Sequence, residues 1–389
     1  MNERFQIRSP AQDLVRRARL IAGIDIVDEE IQEPLARLLH SLNEEAALTR
    51  AGSTAMEQRI LRILCNRLRM LRDYQTHPEI FDQQISRPLL LTGAGRTGST
   101  KTQKLLAATG DFKFLPFWQG YSFALRSGRR EEDTAERIRD AADYIDWFDT
   151  HSPQSRSTHA FGIFEPEEET IILEHDNFGL WISQFANVPS FAAWYTERGF
   201  RAAFQFLRRG LQYLQWQFHD GDQRPWVLKC PVYFGMEPLL AETFPDAVFV
   251  ATHRNPLNTL PSAASTMENF LRAYSDRDFK VAIKHMVMQA LTAGTNKFMT
   301  WRAEKSFPSI LDVSYRELTS DSGRVVAKIY EHARLTKSAA VDKAIEEWEA
   351  RNTQHRMGVH EYSAGKYSMD PTEIESELTG YIESYKEFF

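Results

Sequence analysis

One stretch constrains the fold more than any other. Arg87 to Ala108 reads Arg-Pro-Leu-Leu-Leu-Thr-Gly-Ala-Gly-Arg-Thr-Gly-Ser-Thr-Lys-Thr-Gln-Lys-Leu-Leu-Ala-Ala. Leu89 to Leu91 are a short apolar run bounded by Pro88 and Gly93, the mark of a strand covered on both faces. Gly93, Gly95 and Gly98 let the backbone turn tightly and approach a ligand closely. Ser99 and Thr100 then open a helix whose first amides have no intrahelical partner. Strand, glycine loop and helix in that order make an anion site, and Arg96 and Lys101 beside it suit a phosphate. The same residues also suit a tight turn into an ordinary helix, so a ligand needs a second signal.

The loop is not a Walker A motif. Gly93 and Gly98 have its spacing, but Ser99 stands where that pattern requires lysine. The missing lysine argues against a plain ATPase.

Length and charge narrow the field. A chain of 389 residues can bury a large core, in one big domain or two smaller ones. Its formal net charge of -6 leaves no global basic field to draw nucleic acid or an anionic membrane, so any anion site must be local. Cys65 and Cys230 are too few for a disulfide framework and suit a reducing compartment. The first residues lack the apolar core of a signal peptide, and no run approaches the length of a membrane span. A cytoplasmic location is the expectation.

Residues 1–86 are expected to form an N-terminal helical extension, with helical sequence from residue 9 to 86. Ser9-Pro10-Ala11-Gln12 reads as a capped start, with Ser9 at the N-cap. Leu14, Ala18 and Ile21, then Ile31, Leu35, Leu38 and Leu39, then Ile60, Leu61, Leu64 and Leu68 recur at helical spacing. Arg62, Arg67, Arg69 and Arg72 on the last of these read as a solvated, salt-bridged face. Residues 87–389 form the remaining domain. Within it, 112–224 is rich in aromatics, including Phe112, Phe117, Trp118, Trp147, Trp181, Trp194 and Trp216. Such a segment serves as core or as a helical cap around an apolar small molecule. Strands are expected at 226–229, 247–252 and 310–313, separated by helical sequence. That alternation predicts an α/β fold with a parallel sheet flanked by helices. Asp370-Pro371-Thr372-Glu373 opens a closing helix.

The second signal is Phe249-Val-Ala-Thr-His-Arg-Asn-Pro-Leu-Asn-Thr-Leu-Pro-Ser262. Arg254 leaves the end of a buried strand, where ligands bind in open α/β sheets, and Ser262 follows on the next helix. A guanidinium and a hydroxyl there can grip a second phosphate, although an arginine at a strand end also serves in structural ion pairs.

Together the two stretches resemble the sulfotransferase family, especially its bacterial branch with an Arg-Thr-Gly-Thr-Thr loop. The resemblance implies a P-loop-like fold and 3′-phosphoadenosine-5′-phosphosulfate (PAPS) as sulfuryl donor. It implies that Arg96, Thr97, Gly98, Ser99 and Thr100, with Gly95 ahead of them, hold the 5′-phosphosulfate, and that Arg254 and Ser262 hold the 3′-phosphate. Asn255 replaces the family's usual Asp, and Lys101 replaces an apolar residue, adding a cation. Trp226-Val-Leu-Lys229-Cys-Pro looks like the branch's Leu-Lys-Ser-Pro segment, but Val232 and Tyr233 stand where a histidine is common. Val313-Ser-Tyr315-Arg-Glu317-Leu resembles the family's Tyr-Glu-x-Leu segment. Val359-His360-Glu-Tyr362-Ser resembles its His-x-Tyr-Ser stretch, which implies donor contacts for His360 and Tyr362.

Sulfuryl transfer needs a positioned donor, a deprotonated acceptor oxygen and neutral balance at the leaving phosphate. Arg96 is the candidate for the last task. For the base, Phe164-Glu-Pro-Glu-Glu-Glu-Thr resembles the branch's Pro-Glu-Glu segment, which points to Glu168 first and Glu167 second. The same run also reads as the acidic first turn of a helix after Pro166. His159 is the third candidate, since imidazole titrates near working pH. No metal is expected: His355 and His360 are only loosely spaced, and no Cys/His cluster accompanies them.

The resulting expectation is a PAPS-dependent sulfotransferase acting on a hydroxyl of a small, apolar or aromatic acceptor. No nucleic-acid polymer is expected as partner, and a homo-oligomer stays open. Two rivals remain: a P-loop kinase-like phosphotransferase using ATP, and a PAP-binding relative without turnover, where PAP is the desulfated donor.

Overall fold

The computed structural model describes residues 5–304, 308–352 and 360–389. His355 and Val359 therefore lie outside the described residues. Among the described residues four parallel strands form one sheet: β1 (Leu89–Thr92), β2 (Val227–Lys229), β3 (Val248–His253) and β4 (Ile310–Ser314), in the order β2-β1-β3-β4. Leu90 faces Leu228 on one side and Phe249 on the other, and Val250 faces Leu311. Every residue of β1 is buried. Alternation sends successive side chains to opposite faces. Leu90 enters a core shared with the N-terminal helices, and Leu89 and Leu91 join Val227, Val250, Val325 and Ile329 on the other face.

The extension is helical as expected, with α1 (Ala11–Ala22), α2 (Gln32–Glu44) and α3 (Arg50–Thr76). Its start is shifted from the expected cap. Pro10, not Ser9, occupies the N-cap, and no side chain caps α1. Ser9 instead bonds Glu57, and its Oγ accepts from Arg17.

The arginines of α3 overturn a sequence expectation. They are not a solvated face. Arg59 and Arg67 are buried, and Arg59 and Arg62 both grip the fully buried Glu174. Arg67 pairs with buried Asp28 and also donates to the His175 carbonyl. Arg72 donates to the carbonyls of Leu125 and Arg126. A guanidinium offers five donors and so can tie several chain segments to one helix.

The aromatic segment resolves mainly to core. Phe112, Phe117, Trp118, Trp181 and Trp216 are all buried. All but Phe112 join the cluster that also holds Leu14, Leu38 and Leu64 of the extension. Pro371 opens the expected closing helix, with the Asp370 side chain accepting from the Thr372 amide. Both cysteines are free and buried. Among the described residues no helix is long and apolar enough to cross a membrane.

Candidate active site

The four strands are parallel, so their carboxyl ends open on one edge of the sheet. There, β1 runs through the glycine loop into α4 (Ser99–Ala108). Two glycines are demanded by geometry. Gly93 has φ 115°, and a Cβ there would meet the Thr252 carbonyl oxygen at 2.4 Å; Gly98 has φ 95°, and its Cβ would meet Leu318 at 2.7 Å. Arg96 also sits in the left-handed region, at φ 71°. Gly98 forms the N-cap of α4 with no side chain over the first amides, so those donors stay available.

A cleft of about 540 Å3 covers this end. Its floor is Arg96, Gly98, Ser99, Thr100 and Lys101, and Arg254 follows from β3. His159 and Glu167 line the same cleft. Eight of the residues singled out by sequence thus converge there.

Two guanidiniums organise the floor. Arg96 Nε donates to Ser262 Oγ at 2.9 Å, and its Nη1 donates to the Thr158 carbonyl at 2.9 Å. Arg254 donates to the Arg96 carbonyl at 3.2 Å and to the Tyr362 hydroxyl at 3.1 Å, over the ring of Tyr315 at 4.2 Å. Burial, then the neighbouring Arg254 charge, lowers the pKa of Arg96. An anion received between two such cations relieves both costs.

Other expected donor residues take different places. Ser262 is buried and does not line the cleft; it holds Arg96 from behind. The Thr97 hydroxyl is spent on the Ala94 carbonyl and Thr252, which leaves only its amide for a ligand. Lys101 lines the cleft, but its ammonium is paired with Glu349 at 3.0 Å and the Leu318 carbonyl at 3.2 Å, so it is not a free extra cation. His360 meets Ser265 Oγ at 2.9 Å, and burial followed by Arg96 lowers its pKa to about 4. Gly95 has open space beside its Cα.

The acid run is not a helix start. Pro166 bridges to Pro116, the Glu167 amide donates to the Leu115 carbonyl, and the helical turn begins only at Thr170. Three consecutive glutamates consequently point three ways. Glu167 faces the cleft, with His159 Nε2 at 3.2 Å from Oε1 and 3.3 Å from Oε2. Glu168 turns inward to Lys229 Nζ at 2.5 Å, with both residues buried. Glu169 accepts from the Lys229 amide at 2.8 Å and the Tyr233 hydroxyl at 2.9 Å. Tyr233 is thereby committed inside the core.

Their electrostatics differ accordingly. Burial pushes the Glu167 carboxyl up, but His159 and then Lys229 outweigh it and hold it well below the usual range. Burial dominates at Glu169 and raises it to about 8. Since Glu167 is an acceptor only, His159 Nε2 must carry the proton of their hydrogen bond. Nδ1 of a neutral His159 is then the basic nitrogen. Gln103 donates to the Glu167 carbonyl at 3.2 Å, so α4 itself fixes the acid.

Several cleft residues carry no sequence signal. Trp348 and Glu349 line it from a helix distant in sequence, and only the fold brings them in. No group of three metal-ligating side chains occurs among the described residues.

Comparison with known proteins adds a family. A sequence profile of the sulfotransferase family matches residues 88–339. The crystal structure of sulfotransferase STF1 from Mycobacterium tuberculosis H37Rv is 25% identical and superposes with a TM-score of 0.78, covering 97% of this chain and 100% of that one. Sulfotransferase STF9 from Mycobacterium avium is 21% identical with a TM-score of 0.82, covering 98% of each chain, a likeness of fold. No curated protein sequence matches the chain.

Proposed function

The chain belongs to the sulfotransferase family, and on that footing we propose that it moves a sulfuryl group from PAPS to a hydroxyl of a small acceptor. The observation that carries this reading is the meeting of Arg96, Arg254 and the open start of α4 with the His159–Glu167 pair in one cleft. The first set suits a multiply charged nucleotide. The second suits removal of a proton from a hydroxyl.

When bound, PAPS supplies the sulfuryl group. The amides of Ser99 and Thr100, with Arg96, stabilise charge that builds on the leaving phosphate. Arg254 adds a fixed cation for the remaining phosphate. His159 Nδ1 takes the acceptor proton, while ionised Glu167 orients the ring and stabilises the imidazolium. The Arg96 bond to the Thr158 carbonyl joins the donor floor to the residue beside the base. Glu168, favoured by sequence, serves Lys229 instead.

The acceptor reading rests on the surroundings of His159. Half-buried Phe161 lies 5.1 Å from its ring. This apolar flank supports a hydrophobic alcohol or phenol, which gains about 25 cal/mol per Å2 of buried surface. The test is turnover of PAPS against a panel of phenols, aliphatic alcohols and glycans. Phenols or alcohols should lead; a panel led by glycans overturns the acceptor class, and transfer from ATP overturns the donor.

A further inference from the structure

A second cavity, of about 190 Å3, opens between α1, α3 and the chain around 122–140. The chemistry proposed above leaves it unused. Arg62, Arg69, Arg126 and Arg137 line it, against one lining acid, Asp140. Three of these cations already have carboxylate partners. Arg62 shares Glu174 with Arg59; Arg126 holds Asp140 and Glu136; Arg137 has Glu132 at 3.6 Å. Arg69 differs. Among the described residues it makes no hydrogen bond and no ion pair, and its Nε is buried without a partner. A buried N–H left so is costly unless something accepts from it.

The other wall is apolar. Ile21 and Leu61 line the same cavity, and Ile21 is 58% exposed. One spare cation beside an apolar lip selects a particular ligand chemistry. A dianion would lack a second free charge, and a neutral alcohol would leave Arg69 unmatched.

We propose that this cavity binds a monoanion with an apolar tail, either a carboxylate or a sulfate ester. The head group accepts from Arg69, with Asn66 beside it, and the tail lies along Ile21 and Leu61. Asn66 is already anchored through its amide to the Tyr121 carbonyl at 3.0 Å, so the polar wall is fixed.

Calorimetry on the full chain tests this with hexanoate, hexyl sulfate, inorganic sulfate and hexanol. Each titration is repeated in Arg254→Ala, so that binding in the donor cleft is recognised by its loss there. One or both chain-bearing anions should bind saturably in either background, with hexanol and inorganic sulfate each at least about 10-fold weaker. The stronger of hexanoate and hexyl sulfate identifies the head group. Arg69→Ala should weaken the chain-bearing anions about 10-fold or more. Ile21→Ser changes an exposed side chain and spares the fold; it should weaken the same probes and leave inorganic sulfate unchanged. The proposal fails if neither chain-bearing anion saturates, if binding disappears in Arg254→Ala, or if Ile21→Ser binds as the parent does.

Discussion

His159 Nε2 and Glu167 Oε1 stand 3.2 Å apart on the wall of the cleft that holds Arg96 and Arg254. The carboxylate accepts from Nε2 and so leaves the other ring nitrogen of a neutral imidazole as an acceptor. The proposed base and its orienting acid are eight residues apart in sequence and meet because Glu167 is pinned at its amide and its carbonyl.

His159→Ala should lower turnover by about 100-fold or more, the scale of a lost general base. Glu167→Gln should lower it less, since the imidazole remains. PAP affinity measured by calorimetry should stay close to that of the parent in both. Near-normal turnover in His159→Ala would remove it as the base.

Glu168→Gln separates a structural acid from a catalytic one. It leaves the Lys229 ammonium buried without its partner, and unfolding free energy should drop by about 3 kcal/mol. Turnover per folded molecule should change little. Adding Lys229→Met should recover most of the loss in denaturant melts. A turnover defect as large as that of His159→Ala, at parental stability, would return Glu168 to the chemistry.

The proposed donor recognition rests on Arg254. PAP should bind more tightly than ADP, because only PAP offers the 3′-phosphate. Arg254→Ala should weaken PAP by about 1.5–3 kcal/mol, a charge-assisted hydrogen bond, and leave ADP nearly untouched. Equal affinities of the parent for PAP and ADP would dismiss a 3′-phosphate contact.

Stability should fall from mildly acidic to mildly basic pH. Burial raises both Glu169 and Glu237 to about 8, so the folded chain holds protons there that the unfolded chain has released. Unfolding stability decreases with pH wherever the folded state binds more protons. The stabilisation is full below the ordinary carboxylate range and is lost as pH rises toward 8. Each group also has one buried oxygen without a partner, Glu169 Oε1 and Glu237 Oε2, as expected of acids kept neutral. Glu169→Gln and Glu237→Gln should flatten the slope in pH-dependent melts; an unchanged slope would show that these carboxyls ionise at ordinary values. Glu167, held low, acts in the opposite sense and costs stability only as pH falls below the carboxylate range.

What was legible in the sequence was local. Leu89 to Leu91, the three glycines and Ser99 dictate strand, loop and helix without help from the rest of the chain. The strand at Phe249 and its exit at Arg254 were equally plain, because burial on both faces leaves an unbroken apolar run. What failed depended on distant partners. Glu174 lies more than a hundred residues from Arg59 and Arg62, so a helix rich in arginine reads as solvated. Glu167, Glu168 and Glu169 differ only in direction, and an irregular turn has no period from which direction follows. Ser262 has the expected spacing from Arg254, but only the fold shows Arg96 lying across it.

The strand order has a consequence for synthesis. β1 has both of its neighbours, β2 and β3, far downstream, and β4 ends only at Ser314. While the ribosome adds the residues between β1 and β2, at about 5–20 per second, β1 waits on the order of 10 s with both edges unpaired. Over that interval the emerging helical segments are its available cover. Translation speed across residues 93–226 therefore bears on yield. Slowing it lengthens the exposure of an apolar, aggregation-prone strand, whereas pausing after Ser314 does not.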